Sequence, residues 1–453
     1  MSTEGDERVA AAEDEAAPER YISHLKNVDA FSWIIRWGIL FFLFSTFVLL
    51  LNADIGSGVT ADSVMMQDGE VQEVNQILNV SVISSVGKLW DAKSYPLAIF
   101  IAITSIGWPY IKLAMATFAW VMPYTNPRKR ELLIEIIDAL GKWSFVDIMV
   151  LVEIMVAFRS SVVLAPGLSL EIVIVAQWGF YGFVIATMMS LLSTHVILHY
   201  HRKVHYHNPE SIAGGDAAKN DDENPNAIEE VAANADADPA DPADENANAE
   251  KAVASIESPC GMKKIGGLSP RFLKMALKSL AGSIVFYLAG VLTETFEVTS
   301  TRGDVSVSTS YSIASIGMAI PEAYIDSGHT GTRFIQVMWF FLGIAMPLWC
   351  SVLFVILYAV PSLSKERMKY IFTMAEVTFA WSCAEVLLLS TIFAVLQMPI
   401  FGAGLVENNC TTCFVITTQI LPQFSLLCIG TCMNVAVNVW LYRKTHSILY
   451  QTK

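Results

Sequence analysis

The chain has 453 residues, of which 54% are hydrophobic and 16% are charged, and its mean hydropathy is +0.47. Soluble domains carry about 25% charged residues, so this composition excludes an ordinary soluble domain and indicates a membrane protein. The formal net charge of −14 at pH 7 argues against nucleic acid as a partner, because surfaces that bind nucleic acid are basic.

The chain begins with an acidic, alanine-rich segment, residues 1–30, which is predicted to be a disordered tail because it holds too few apolar side chains to form a core. A first membrane module is predicted over residues 31–203. Its four spanning helices are expected at about 31–51, 95–122, 136–158 and 172–198, each long enough to cross a hydrocarbon layer of about 30 Å.

An acidic, low-complexity linker is predicted to be disordered over residues 204–270. The pattern of spans then returns in a second module, 271–446, with helices expected at about 274–293, 333–360, 374–397 and 414–441. A short C-terminal tail, 447–453, follows. The predicted fold class is therefore all-α and polytopic, with about eight transmembrane helices in two four-helix repeats that share one orientation.

The two modules share an ungapped register with an offset of 238 residues. This register relates aromatic, hydroxyl, acidic and proline positions: Trp143 to Trp381, Ser144 to Ser382, Asp147 to Glu385, and Pro109 to Pro347. Such a register is hard to obtain by accident in apolar sequence, and it indicates an internal duplication.

The basic clusters all lie on one side of this arrangement, as the positive-inside rule requires, so both termini and the linker are predicted to be cytoplasmic. The segments at 54–94, 160–170, 294–331 and 398–412 then face out. Two sequons for N-glycosylation, at Asn79 and Asn409, fall in these outer segments. Cys410 and Cys413 also lie there, and an oxidising compartment could close them as a disulfide.

Charged side chains inside the predicted spans mark a candidate site. Lys112 and Asp147 are equally far from position 129.5, within the basic turn, so an antiparallel hairpin would place them at one depth, where pairing is economical. The pair would either fix helix packing or form an intramembrane polar station for a proton, an ion or a lipid headgroup. In the second module Cys350 replaces the cation, so Glu385 must be protonated, face a cavity or take a partner from elsewhere.

The repeated motif contains further residues that are expected to support this station. Trp143 and Trp381 are typical of aromatic anchors near a membrane interface. Pro109 and Pro347 are expected to kink their helices.

Five histidines lie between residues 195 and 207: His195, His199, His201, His205 and His207. Metal chelation and a titrating interfacial cluster both stay open for them. No carboxylate or thiolate spacing completes a recognisable site, so no metal or other cofactor is predicted. The sequence also contains no phosphate-binding loop, nucleophile elbow or paired-carboxylate hydrolase pattern, and no enzymatic activity is expected.

The chain resembles the paraquat-inducible protein A family of membrane proteins. The resemblance rests on Pro109-x-x-Lys112, the basic turn and Gly141-Lys-Trp-Ser-Phe-Val-Asp147, with Trp381-Ser382-x-x-Glu385 as a second copy. It implies two tandem four-helix modules in a protein that works beside lipid-trafficking partners. The cytoplasmic zinc-binding Cys-x-x-Cys pairs of bacterial relatives have no counterpart before these modules, and the acidic tail and linker are typical of a eukaryotic member.

The resemblance implies lipid transport or membrane homeostasis through the polar stations, with membrane lipids and a lipid-trafficking protein as partners. Two alternatives stay open. The buried carboxylates would equally serve an ion- or proton-coupled transporter of a small solute. They could also be packing devices in a non-transporting, tetraspanin-like scaffold.

Overall fold

The computed structural model describes residues 24, 31–67, 70–123, 127–158, 160–165, 168–206, 269–302, 305–323, 330–360, 363–406 and 415–450. Several predictions lie outside the described residues, namely the disorder of the N-terminal tail and linker, the Cys410–Cys413 disulfide and the sequon at Asn409.

The first half of the chain alternates helices with two β-hairpins. Its described elements run in the order α1 (Trp33–Ile55), β1 (Val59–Gln67), β2 (Glu70–Val80), α2 (Val82–Asp91), α3 (Tyr95–Ile101), α4 (Trp108–Val121), α5 (Pro127–Gly141), α6 (Val146–Ala157), β3 (Ser160–Ala165), β4 (Leu168–Ala176) and α7 (Trp178–Tyr206). A π-helical segment, Ala102–Gly107, joins α3 to α4, and a 3-10 turn, Lys142–Phe145, joins α5 to α6.

The second half follows nearly the same order. Its described elements are α8 (Pro270–Leu292), β5 (Glu294–Arg302), β6 (Val305–Ser312), α9 (Ile313–Ala319), α10 (Thr330–Phe340), α11 (Met346–Ala359), α12 (Lys365–Trp381), α13 (Ala384–Val406), β7 (Val415–Ile420) and α14 (Phe424–Tyr450). A π segment, Phe341–Ala345, precedes α11, which begins with Met-Pro. In the first half a π segment likewise precedes α4, which begins with Trp-Pro. The duplication itself stays a prediction, as do the module boundaries.

Seven helical stretches in the described part of the chain are long and apolar enough to cross a membrane: Trp33–Ile55, Ala98–Val121, Trp178–Lys203, Pro270–Leu292, Thr330–Ala359, Glu366–Ile400 and Phe424–Leu449. The predicted all-α, polytopic class is confirmed. The predicted third span, 136–158, is not among these seven, because Asp138, Lys142, Asp147 and Glu153 give it more charges than such an apolar stretch carries.

Two small antiparallel sheets lie beside the helices, with strand orders β2-β1-β4-β3 and β6-β5-β7. The predicted starts of the fourth and eighth spans are therefore wrong, because residues 172–176 belong to β4 and residues 415–420 form β7. Both segments are rich in β-branched residues, which raise hydropathy as much as helix formers do but favour an extended backbone. The pairing of β1 with β4 joins the end of α1 to the start of α7, and β5 with β7 does the same for α8 and α14.

Helix α6 lies at the centre of the fold. Eleven of its twelve residues are buried, including Asp147 and Glu153. It packs against α13 of the second half, so the two halves meet through a helix that is apolar nearly all round. This contact carries both carboxylates into the interior of the protein.

Candidate functional site

Asp147 and Glu385 occupy equivalent positions in the fold, each in the first turn of a helix that begins after a break. Asp147 follows the 3-10 turn at Lys142–Phe145, and Glu385 follows the non-helical pair Ser382–Cys383. The N-terminus of a helix carries a partial positive charge, which favours a carboxylate there. The repeated Trp-Ser-x-x-acid motif therefore marks the point where each helix restarts.

Backbone groups near these breaks find partners inside the protein, as a membrane requires. The Cys383 N–H donates to the Leu342 carbonyl at 3.1 Å, and the Trp108 indole N–H donates to the Leu140 carbonyl at 2.9 Å. The breaks are thus built into the fold as stable features, and they hold the two acids in place.

A salt bridge joins the two halves at the second acid. The Lys142 ammonium contacts the Glu385 carboxylate, and the Lys142 side chain is 3% exposed. The same ammonium lies 4.5 Å from the centre of the Phe379 ring. Glu385 therefore takes its partner from the first half, which was one of the three arrangements expected for it.

The expected pairing of Lys112 with Asp147 is wrong. Lys112 is 1% exposed, and the carboxylate whose charge acts on it is Asp138 of α5. The reason is the position of the turn: α4 ends at Val121 and α5 begins at Pro127, so the hairpin centre lies earlier than the basic cluster. Equal depth then falls near Asp138.

Gly141 makes room for Lys112. A Cβ atom at Gly141 would lie 2.5 Å from the Lys112 Nζ and 2.7 Å from the Leu191 Cδ2. The glycine of the motif thus serves the packing of the buried lysine.

The histidines of the 195–207 group separate into different environments. His195 contacts the Asp138 carboxylate at 3.4 Å and stacks on Trp381 with ring centres 6.5 Å apart. His201 shares a hydrogen bond of 3.0 Å with His24 from the N-terminal segment. His207 and the side chain of His205 lie outside the described residues. Among those described, no three His, Cys, Asp or Glu side chains are grouped as metal ligands would be.

Arg202 holds three carboxylates from both halves. It donates to Glu131 at 3.0 Å, to Glu135 at 3.1 Å and to both oxygens of Glu376, one of them at 2.9 Å. Tyr442 of α14 donates to Glu376 at 2.8 Å. The network joins α5, α7, α12 and α14.

Glu153 lies at the contact between α6 and α13. Its Oε1 accepts hydrogen bonds from the hydroxyls of Ser390 and Thr391, each at 3.1 Å, and the residue is fully buried. Thr391 is also the residue that the 238-residue offset pairs with Glu153.

Asp147 lines a small cavity together with Ser81, Ser85 and Phe180. It is 6% exposed, and the charged group that acts on it is Asp54, at the end of α1. Tyr110 donates a hydrogen bond of 2.6 Å to the Asp54 Oδ2. None of the salt bridges among the described residues reaches either aspartate.

An apolar cleft adjoins this cavity, and Ile148 and Phe180 line both. The cleft lies between the two halves. Its other lining residues are apolar: Phe145, Met149, Val152 and Val184 from the first half, and Phe334, Ile335, Met338, Trp339 and Leu342 from the second.

The remaining motif residues are mostly buried. Ser144 and Ser382 are 2% and 3% exposed, and Pro109 and Pro347 are each the second residue of the helix that follows a π segment. A proline at that place cannot donate to the preceding turn, which accounts for the local change of helix type. Trp381 is partly exposed, and its ring packs against His195 and Phe341.

Sequon residue Asn79 is exposed on β2, and its amide donates to the Ser57 hydroxyl at 2.9 Å. Trp143 is partly buried and packs against the main core, and its expected role as an interfacial anchor stays a prediction.

These features define a multi-pass α-helical membrane protein with charged groups in its interior. Residues 69–201 match the family model of paraquat-inducible protein A. This range begins at β2, includes Lys112 and Asp147, and ends within α7, so the match covers most of the first half and none of the second. The chain matches no curated protein.

Several residues of the site were not predicted from the sequence, among them Asp54, Tyr110, Asp138, Lys142 and Arg202. Asp54 and Lys142 could have been found as charges at the ends of apolar runs. Tyr110 could not, because only the packing of α4 on α1 shows which acid its hydroxyl reaches.

Proposed function

We propose that the protein binds membrane lipids between its two halves and takes part in lipid transport, without acting as an enzyme. The observation that supports this is the pair of adjoining cavities, one apolar and one containing Asp147. A membrane lipid has the same division, with acyl chains at one end and a polar headgroup at the other.

The apolar cleft suits an acyl chain. Nearly all of its lining comes from aliphatic and aromatic side chains, as is typical of the sites that bind apolar ligands. The cleft lies between α6 and α7 on one side and α10 on the other, so movement of one half against the other would open or close it.

The orientation and partners expected from the sequence are part of the same proposal. Both termini lie in the cytoplasm, and a lipid-trafficking protein takes or delivers the lipid. The match of residues 69–201 to the paraquat-inducible protein A model supports this role.

An ion- or proton-coupled transporter is the second candidate, and buried charges favour it. Among the described residues the Lys112 ammonium has no hydrogen-bond acceptor, and Asp138 and His195 lie close to it. A reconstituted flux assay separates the two functions: movement of labelled lipid supports the first, and a pH-dye signal with a small solute supports the second. Neither signal would indicate a scaffold.

Filling the cleft tests the lipid proposal. Val184→Phe adds a ring to a residue that is 3% exposed and lines the cleft. Labelling of the purified protein in nanodiscs by a phospholipid with a photoactivatable acyl chain is expected to fall about tenfold, equivalent to about 1.4 kcal/mol.

The matched control is Val285→Phe, the same exchange at a residue that is 64% exposed on α8. It is expected to label like the wild type. If the wild type and Val184→Phe were labelled equally, and the labelled peptides lay outside the cleft, the cleft would hold no acyl chain.

A further inference from the structure

We propose that the cavity at Asp147 binds the primary ammonium group of a lipid headgroup, an inference that rests on the proposed lipid function. The ligand class is therefore an amine-bearing phospholipid.

Asp147, which lines the cavity, and Asp54, whose charge acts on it, each have an acceptor oxygen with no hydrogen-bond donor among the described residues. Asp147 has no hydrogen-bond partner among the described residues, and the Asp54 Oδ1 is buried without one. Two buried acids close together repel each other, and each lacks the water that would stabilise its charge. A bound cation supplies both the counter-charge and the donors.

The equivalent acid of the second half already has its cation. Glu385 is neutralised by Lys142, and the position that the 238-residue offset pairs with Lys142 is Ala380. Because alanine carries no charge, the side chain at that position cannot supply a cation to Asp147. Of these two acids, Asp147 is the one without a salt bridge among the described residues, and it lines a cavity.

The polar lining favours an ammonium that can donate hydrogen bonds. Ser81 and Ser85 bring hydroxyl oxygens to the cavity, and the Ser85 hydroxyl donates to the Ser81 carbonyl, which leaves its own lone pairs available. A primary ammonium has three N–H donors for such acceptors. A quaternary choline group has none.

A phosphate group also has a partner nearby. Lys88 lies three residues after Ser85 on α2, and side chains at that spacing share a helix face. Lys88 is half-buried, and burial lowers the pKa of its ammonium, so an adjacent anion would stabilise the charged form. The two acids would bind the amine and Lys88 would bind the phosphate. This combination matches a zwitterionic headgroup better than a free amine.

The test uses the full chain in nanodiscs with three photoactivatable phospholipids that share acyl chains and differ in headgroup: ethanolamine, choline and glycerol. The ethanolamine lipid is expected to label most strongly. Asp147→Asn and Asp54→Asn, which keep side-chain size, are each expected to weaken that preference by about tenfold or more, as loss of a charge-assisted hydrogen bond does. Asp91→Asn, an exposed aspartate at the end of α2, is the matched control.

The outcomes separate this inference from the proposed function. Equal labelling by all three lipids, or a preference for choline, would overturn the ammonium assignment while the lipid function stands. Absence of labelling by any of them would overturn both. If millimolar free ethanolamine abolished labelling by the ethanolamine lipid, the site would be assigned to a soluble amine. That result would also contradict binding of a lipid headgroup. Thermal unfolding of each variant identifies any loss of labelling that comes from misfolding.

Discussion

Arg202→Ala is expected to lower the free energy of unfolding by about 3–5 kcal/mol, the usual range when one partner of a buried ion pair is removed. The reason is the number of acids that Arg202 holds. Glu131, Glu135 and Glu376 all accept its hydrogen bonds, and its side chain is only 14% exposed. Without the guanidinium, three carboxylates would face each other with little water to screen them.

The measurement is equilibrium unfolding of the reconstituted protein in mixed micelles, followed by tryptophan fluorescence. Lys203→Ala removes a neighbouring cation that is exposed, so it is expected to change stability by less than about 1 kcal/mol. Adding Glu376→Gln to Arg202→Ala should restore part of the loss, because it removes one of the stranded charges. An Arg202→Ala protein as stable as Lys203→Ala would show that the network contributes nothing.

Gly430→Ala is expected to destabilise the second half by at least about 1–3 kcal/mol, the range typical of overpacked cores. Helices α8 and α14 approach so closely at this point that an added Cβ would lie 2.5 Å from the Phe286 carbonyl oxygen and 2.8 Å from the Tyr287 Cα. These are backbone atoms, so no side chain can turn away to relieve the clash. The two helices would have to separate.

Two further substitutions make this prediction specific. Gly290→Ala, on the facing helix, would place a Cβ 2.5 Å from the Leu427 Cα and is expected to cost as much. Gly282→Ala lies on the same helix as Gly290, but its Cβ would meet only the Met433 Cε at 3.8 Å, an ordinary contact. It is expected to be neutral or slightly stabilising, since alanine favours helix. Equal thermal stability of all three variants would contradict the close approach.

The sequence predicted the membrane class and the acids because both depend on local chemistry. Hydropathy located most of the spans, and the repeated motif identified Asp147 and Glu385, which the structure places at two helix starts. Hydropathy failed at β4 and β7, where β-branched residues give an apolar strand the same signal as a helix.

The partners of these acids could not be predicted, because they depend on how helices from different halves pack. Lys142 reaches Glu385 across the central contact, although the two are far apart in sequence. The Lys112 prediction failed for a smaller reason: the basic cluster was taken as the hairpin turn, whereas α5 begins within that cluster at Pro127. When the position of a turn is misplaced by a few residues, the predicted membrane depth of every residue on the next helix is wrong by the same amount.

The central claim is that one lipid occupies the space between the two halves, with its headgroup at Asp147 and its chain beside Val184. Native mass spectrometry of the intact protein released from nanodiscs tests this most directly. The account predicts a phospholipid adduct on the wild type that survives delipidation and is lost from Val184→Phe. A wild-type protein without a lipid adduct, or one with the same adducts as Val184→Phe, would contradict the binding of a lipid between the two halves.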